Sequence, residues 1–211
     1  MNLPNLKDLL ILPLLVSFFF SFISTPITIK IAWRLGMIDD PKKKKHPKII
    51  HTYPVPRAGG LPILIGLLSA SFLFLPLDKH VVGILAGATF AVVVGLLDDK
   101  YDLNPYLRII TCVISALLVV GAGIGFSFLT NPFGGILLLD QPRISFDFFG
   151  PHSLWVLSDL LAIVWIVWCM NMLNWSKGVD GQMPGIVAIA SIVIGLLSFR
   201  FIKSGDLNQW I

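Results

Sequence analysis

Six long apolar runs dominate this chain, and they set its solvent before any motif is considered. A bilayer core about 30 Å thick is crossed by a helix of roughly 17–25 mostly apolar residues. The runs at residues 9–33, 60–77, 81–97, 107–129, 154–173 and 185–202 meet that requirement. Of the 211 residues, 55% are hydrophobic and 13% charged, against roughly a quarter charged in an ordinary soluble domain. This patterning excludes a disordered chain and argues against a water-soluble globule. The expected fold is all-α, a polytopic transmembrane helical bundle of about six spans forming one integral-membrane domain over residues 1–211. The first run is too long, and too poor in small residues near a cleavage point, for a removable signal peptide, so it reads as an anchor. Pro13 and Pro26 kink it or mark its ends. Asn104-Pro105 joins a capping side chain to a proline at the first helical position and starts the fourth span. Trp155 and Trp175 bracket the fifth span like interfacial anchors.

Basic residues give the orientation. The segments after spans one, three and five carry ten of the sixteen Lys and Arg residues, and the opposite side carries five, with Lys30 inside the end of the first span. The positive-inside rule then places the odd-numbered loops in the cytoplasm and both termini outside. On the outer side, residues 136–139 and 144–149 flank Asp140-Gln141-Pro142-Arg143 and read as one short hairpin with a polar turn. Cys112 and Cys169 each lie inside an apolar run, so no zinc spacing or disulfide framework can be built from them.

The unusual polar residues gather in the three inner loops. The first group runs from Asp39-Asp40-Pro41 through Lys42, Lys43, Lys44, Lys45 and His46 to His51 and Pro54-Val55-Pro56-Arg57-Ala58-Gly59-Gly60. The lysines suit a topogenic patch that also meets anionic lipid. The prolines fix an extended backbone, the glycines admit a close approach where a helix begins, and Arg57 is placed to hold a phosphate. The second group, Asp98-Asp99-Lys100-Tyr101-Asp102-Leu103, crowds three carboxylates onto the end of span three. The helix dipole is already negative there, so a cation should compensate: either a hard divalent ion such as Mg²⁺, or Lys100 and Arg108 in a solvated loop. Adjacent helical positions do not face one way, so Asp98 and Asp99 should do different jobs. The third group is Asn171-Met172-Leu173-Asn174-Trp175-Ser176-Lys177-Gly178-Val179-Asp180-Gly181. Its two asparagines share a helix face, either as hydrogen-bonding glue between helices or as the wall of a pocket. Asp159, inside the fifth span, lies within about two turns of its outer end, where reaching the interface explains it.

Taken in order, these stretches resemble the polyprenyl-phosphate N-acetylhexosamine-1-phosphate transferases, and the Pro-x-Pro-Arg-x-Gly-Gly and Asp-Asp-x-x-Asp-Leu forms look closer to the undecaprenyl-phosphate N-acetylglucosamine-1-phosphate branch. The resemblance implies transfer of a sugar-1-phosphate, N-acetylglucosamine-1-phosphate first, from a UDP-sugar to a polyprenyl phosphate in the plasma membrane. UMP is released and a lipid-linked diphosphate sugar for envelope polysaccharide is formed on the cytoplasmic face. It implies Mg²⁺, with Mn²⁺ as substitute, and no nucleic-acid partner; a homodimer stays open. On the matching positions, Asp99 is the metal ligand, and Asp98 the base or orienter for the lipid phosphate. Asp102, Asn171, Asn174 and Asp180 line the substrate pocket, with Arg57 as a phosphate contact and Lys177 either a second one or an ion-pair partner of Asp102 or Asp180. Two departures stand out. Lys177 occupies the place where such families carry the first Asp of Asp-Gly-x-Asp-Gly. The chain also stops at Ile211, before the Gly-Asp-x-Gly-Ser and histidine-rich loops of a roughly ten-span fold, which points to a truncated reading frame or fragment. The rival classes are a cation-binding transporter subunit, which would need carboxylates at membrane depth, and a non-catalytic fragment that only binds lipid diphosphate.

Overall fold

The computed structural model describes residues 11–41, 52–131, 133–139, 143–147, 151–176 and 181–203. Six helices account for most of them: α1 (Leu12–Leu35), α2 (Gly60–Phe74), α3 (Lys79–Tyr101), α4 (Pro105–Gly121), α5 (Val156–Trp175) and α6 (Gln182–Lys203). Large apolar side chains along them are exposed, Phe18 to 64% and Phe22 to 68% among many. A surface of this kind is untenable in water and ordinary in lipid. The protein is a helical membrane protein.

Among the described residues three helices, α1, α3 and α5, are long and apolar enough by themselves to cross a bilayer. The predicted second and fourth spans are realised as shorter helices, for local reasons. Helix α2 stops at Phe74 after 15 residues, about 22 Å at 1.5 Å per residue, because Leu75 precedes Pro76 and takes an extended conformation (φ −108°, ψ 142°). Helix α4 ends at Gly121, and Gly123 turns the chain at φ 96°. Pro13 sits in the first turn of α1, where its missing N–H costs nothing, and the helix runs on through Pro26.

The chain divides into two compact units, Met1–Ile163 and Val164–Ile211. In the first, α1 packs on α2, α2 on α3 and α3 on α4. Small residues bring the backbones together: a Cβ on Gly66 would come within 2.6 Å of the Ser17 carbonyl, and one on Gly87 within 2.9 Å of the Ser115 carbonyl. The second unit holds α6 and the latter part of α5.

Helix ends are fixed by side chains. Asp78 caps α3 by accepting from the Val81 amide at 2.8 Å, and Asn104 caps α4 by accepting from the Tyr106 amide at 3.0 Å. That Val81 bond, together with His80 beside it, holds the Asp78 carboxyl below its ordinary value. A carboxyl depressed in the folded state contributes stability that is complete above its unfolded pKa and is lost as pH falls through the folded one. We expect acid unfolding of Asp78→Asn, which still caps but does not titrate, to have a shallower pH dependence below about pH 4 than the wild type. Identical slopes in thermal scans across pH 2–5 would contradict this.

The described residues also form three two-stranded antiparallel sheets. β1 (Ile38–Asp39) pairs with β2 (Val55–Pro56), β3 (Phe128–Thr130) with β4 (Ile136–Leu138), and β5 (Arg143–Asp147) with β6 (Pro151–Trp155). The predicted hairpin therefore has the right strands and the wrong partners: residues 136–138 pair backward and 143–147 pair forward. The backward pairing follows from the turn after Thr130. Asn131 Oδ1 accepts from the Phe133 amide, the Asn131 amide bonds to the Gly135 carbonyl, and Gly134 and Gly135 take φ values of 110° and 86°. The predicted turn residues 140–142 lie outside the described residues. Asp159 folds back on its own helix start, its Oδ2 accepting from the Trp155 amide at 3.0 Å.

Candidate functional site at the end of α3

The site is assembled by the chain reversal after α1. Gly36 adopts φ 72°, a conformation that other residues rarely take, and Met37 N–H bonds back to the Ala32 carbonyl at 2.9 Å. The chain then runs as β1, paired with β2 so that Ile38 faces Pro56 and Asp39 faces Val55. The Arg57 amide adds a further bond to the Met37 carbonyl at 2.9 Å. Ala32, Met37 and Ala58 close into a small buried core against Leu96 of α3. This stitching carries the Pro-x-Pro-Arg-x-Gly-Gly segment to the last turn of α3.

The decisive contact is there. The Ala58 amide donates to Asp99 Oδ2 at 2.9 Å, across 41 residues of sequence. Ala58 holds φ 77° and is 2% exposed. A non-glycine residue in that region is strained and persists only where its surroundings over-determine it. Arg57, beside it, pairs with Asp39 (Nη2 to Oδ2, 3.3 Å).

Asp98 faces elsewhere, as adjacent helical positions must. Its Oδ1 accepts from the Leu103 amide at 3.0 Å and from Arg108 Nε at 2.7 Å. Asp102 closes α3 in the left-handed region at φ 53°, its amide bonding to the Asp98 carbonyl at 2.8 Å, and its Oδ1 meets Arg108 Nη2 at 3.3 Å. The crowding of three carboxylates is thus relieved in part by one guanidinium. Lys100 takes no share among the described residues; its ammonium lies 5.1 Å from the Tyr101 ring centre. Asp99 is left as the carboxylate of the three with no cationic partner among the described residues.

A cavity of about 250 Å³ opens beside Ala58, walled by Ile31, Leu35, Met37, Leu96 and Tyr101 with Lys100 at its edge. Its lining is almost wholly apolar, and it adjoins the Asp99 carboxylate through Ala58.

Of the predicted site residues, Arg57, Asp98, Asp99 and Asp102 fall together at this end of the first unit. Asn171 and Asn174 belong to the second unit. Asn171 is half-buried and its Nδ2 donates to its own helix at the Val167 carbonyl, 2.8 Å away, while Asn174 is exposed. Lys177 and Asp180 lie outside the described residues, as do the four lysines 42–45, His46 and His51. Three partners were not singled out as site residues from sequence: Asp39, the Ala58 amide, and Arg108 in its double pairing. Arg108 was the most accessible of these, since the Asn104-Pro105 start fixes it in the first turn of α4, facing back toward the end of α3.

For a divalent ion the donor chemistry fits in a limited way. Among the described residues no three His, Cys, Asp or Glu side chains converge on one point. Mg²⁺, however, is commonly held by one or two carboxylates together with water and substrate phosphates, and Asp99 offers one such oxygen donor.

Fold and site therefore define a helical membrane protein with an acidic helix end tied to a proline- and glycine-rich loop. The chain matches the model of glycosyl transferase family 4 over residues 81–209, more than half of its length, and it belongs to that family. It is 28% identical over 192 residues to a probable undecaprenyl-phosphate N-acetylglucosaminyl 1-phosphate transferase of Bacillus subtilis, covering 90% of this chain and 48% of the relative. It is 25% identical over 209 residues to a decaprenyl-phosphate N-acetylglucosaminephosphotransferase of Mycobacterium tuberculosis, covering 94% and 47%. It is 26% identical over 201 residues to an undecaprenyl-phosphate alpha-N-acetylglucosaminyl 1-phosphate transferase of Yersinia pestis, covering 95% and 49%. The chain spans about half the length of these curated relatives. No solved structure matches it.

Proposed function

We propose that this chain carries part of the catalytic face of a phosphoglycosyl transferase that moves N-acetylglucosamine-1-phosphate from its UDP donor to a polyprenyl phosphate, at the cytoplasmic side of the plasma membrane. An oxygen of the lipid phosphate attacks the sugar-bearing phosphorus of the donor. The bond to the bridging oxygen breaks, UMP departs with that oxygen, and the product is a lipid-linked diphosphate sugar. The observation that carries the reading is the Ala58 amide on Asp99 Oδ2, which joins the arginine-bearing loop to the acidic helix end. Catalysis of this kind is positioning plus neutralisation of phosphate charge, and the chain's own residues divide that work. Asp99 would hold Mg²⁺ (or Mn²⁺), which supplies charge neutralisation on the phosphate oxygens. Asp98 orients the lipid phosphate, Arg57 binds phosphate and Asp102 contacts substrate. In the second unit the family resemblance assigns Asn171, Asn174 and Asp180 to substrate, and Lys177 is a candidate phosphate contact. The apolar cavity beside Ala58 gives an isoprenoid chain a wall next to the reacting group. Ten basic residues on the odd-numbered loops against five opposite support an inward-facing site with both termini outside.

The test is direct. Membranes bearing the chain, given UDP-N-acetylglucosamine, undecaprenyl phosphate and Mg²⁺, should release UMP and accumulate lipid-linked sugar, and a chelator should stop both. Ion flux without product would favour a transporter. Binding of lipid diphosphate with no turnover would leave only a binding fragment.

A further inference from the structure

Arg108 has no part in the scheme above, yet it is the hub of the turn between α3 and α4. Its backbone amide bonds to the Asn104 carbonyl at 3.2 Å, which seats it in the first turn of α4. From there its planar guanidinium reaches two carboxylates from different nitrogens, Asp98 Oδ1 at 2.7 Å and Asp102 Oδ1 at 3.3 Å. The Leu103 amide lands on the same Asp98 oxygen at 3.0 Å. Asp98 is thus held by two donors on one oxygen, which sets the plane of its carboxylate. A lysine, with one compact charge, could attract both groups but could not define both directions.

We propose that Arg108 is a positioning residue: it locks Asp98 and Asp102 into one fixed array and so sets the direction in which Asp98 meets the lipid phosphate. This rests on the transferase reading of the same site. Arg108 is 39% exposed and Asp102 57%, and pairs so open to solvent contribute little to stability. A misplacement of about 1 Å at a reacting group, by contrast, can cost on the order of 100-fold in rate. The consequence should therefore appear in turnover rather than in folding.

The experiment compares wild type, Arg108→Gln and Arg108→Lys in nanodiscs, by hydrogen exchange and by steady-state kinetics. In Arg108→Gln the Leu103 amide should exchange at least about tenfold faster while the rest of α3 and α4 is unchanged. kcat should fall by about 10–100-fold with KM for the UDP-sugar within twofold and the thermal midpoint unmoved. Arg108→Lys should recover part of kcat. Unchanged exchange at Leu103 would overturn the clamp. Faster exchange with unchanged kcat, a rise in KM alone, or a loss explained wholly by a lower midpoint would overturn its role in positioning. A wild type without turnover would instead overturn the transferase reading, and the Leu103 exchange would then decide the clamp by itself.

Discussion

Replacing Asp99 by asparagine is expected to lower Mg²⁺-dependent UMP release by about 10²–10³-fold, the scale seen when one electrostatic contact to a developing charge is removed, without unfolding the protein. The choice of asparagine follows from the geometry. Its side-chain oxygen can still accept from the Ala58 amide, so the contact at 2.9 Å survives while the charge is lost. Asp99→Ala loses both, and the difference between the two variants isolates what the hydrogen bond contributes to the fold of the loop. The prediction is sharpened by what surrounds the residue: Asp98 and Asp102 share Arg108, whereas Asp99 has no cationic partner among the described residues. UMP release in Asp99→Asn within twofold of wild type would remove this carboxylate from the reaction.

The largest structural effect is expected far from the site. Gly83 of α3 faces α4 so closely that an added Cβ would overlap the Cβ of Ala122 and lie 3.2 Å from the Leu118 carbonyl. Gly83→Ala must push two backbones apart, and overpacking of this kind costs about 1–3 kcal/mol. Gly83→Leu should cost more and lower the yield of folded protein. Gly83 is fifteen residues before Asp98, roughly 22 Å along the helix, so the activity of each remaining folded molecule should be little changed. A thermal midpoint in detergent equal to that of wild type for Gly83→Ala would show that the α3–α4 contact has room for a methyl group.

Much of this arrangement was legible from residue order. The helix starts followed from apolar runs and from Asn104-Pro105, because a helix start is a local event decided by one capping side chain, whereas α2 and α4 end before their apolar runs do. That Asp98 and Asp99 face different ways followed from helix geometry alone, and the structure turns one toward Arg108 and the other toward Ala58. Strand pairing was less accessible. The polar turn at 140–142 looked like the natural reversal, but the Asn131 side chain and two glycines in left-handed conformations produce an earlier one, and nothing in strand composition ranks two competing turns. The charge compensator was legible only in kind: three carboxylates demanded a cation, composition could not choose among Lys100, Arg108 and a metal, and the structure puts Arg108 on two of the three. The strained backbone at Ala58 carries no sequence signal, since alanine is not a residue that marks φ above zero.

The β1–β2 pair has an engineering consequence. Asp39 sits across from Val55, so the fifteen-residue segment between them begins and ends at neighbouring points. Lengthening a loop whose ends are already pinned adds little entropy cost, about 0.6 kcal/mol per doubling. An epitope or fluorescent reporter spliced after Lys44 should therefore leave the β1–β2 pairing intact, giving a handle for imaging or single-molecule work.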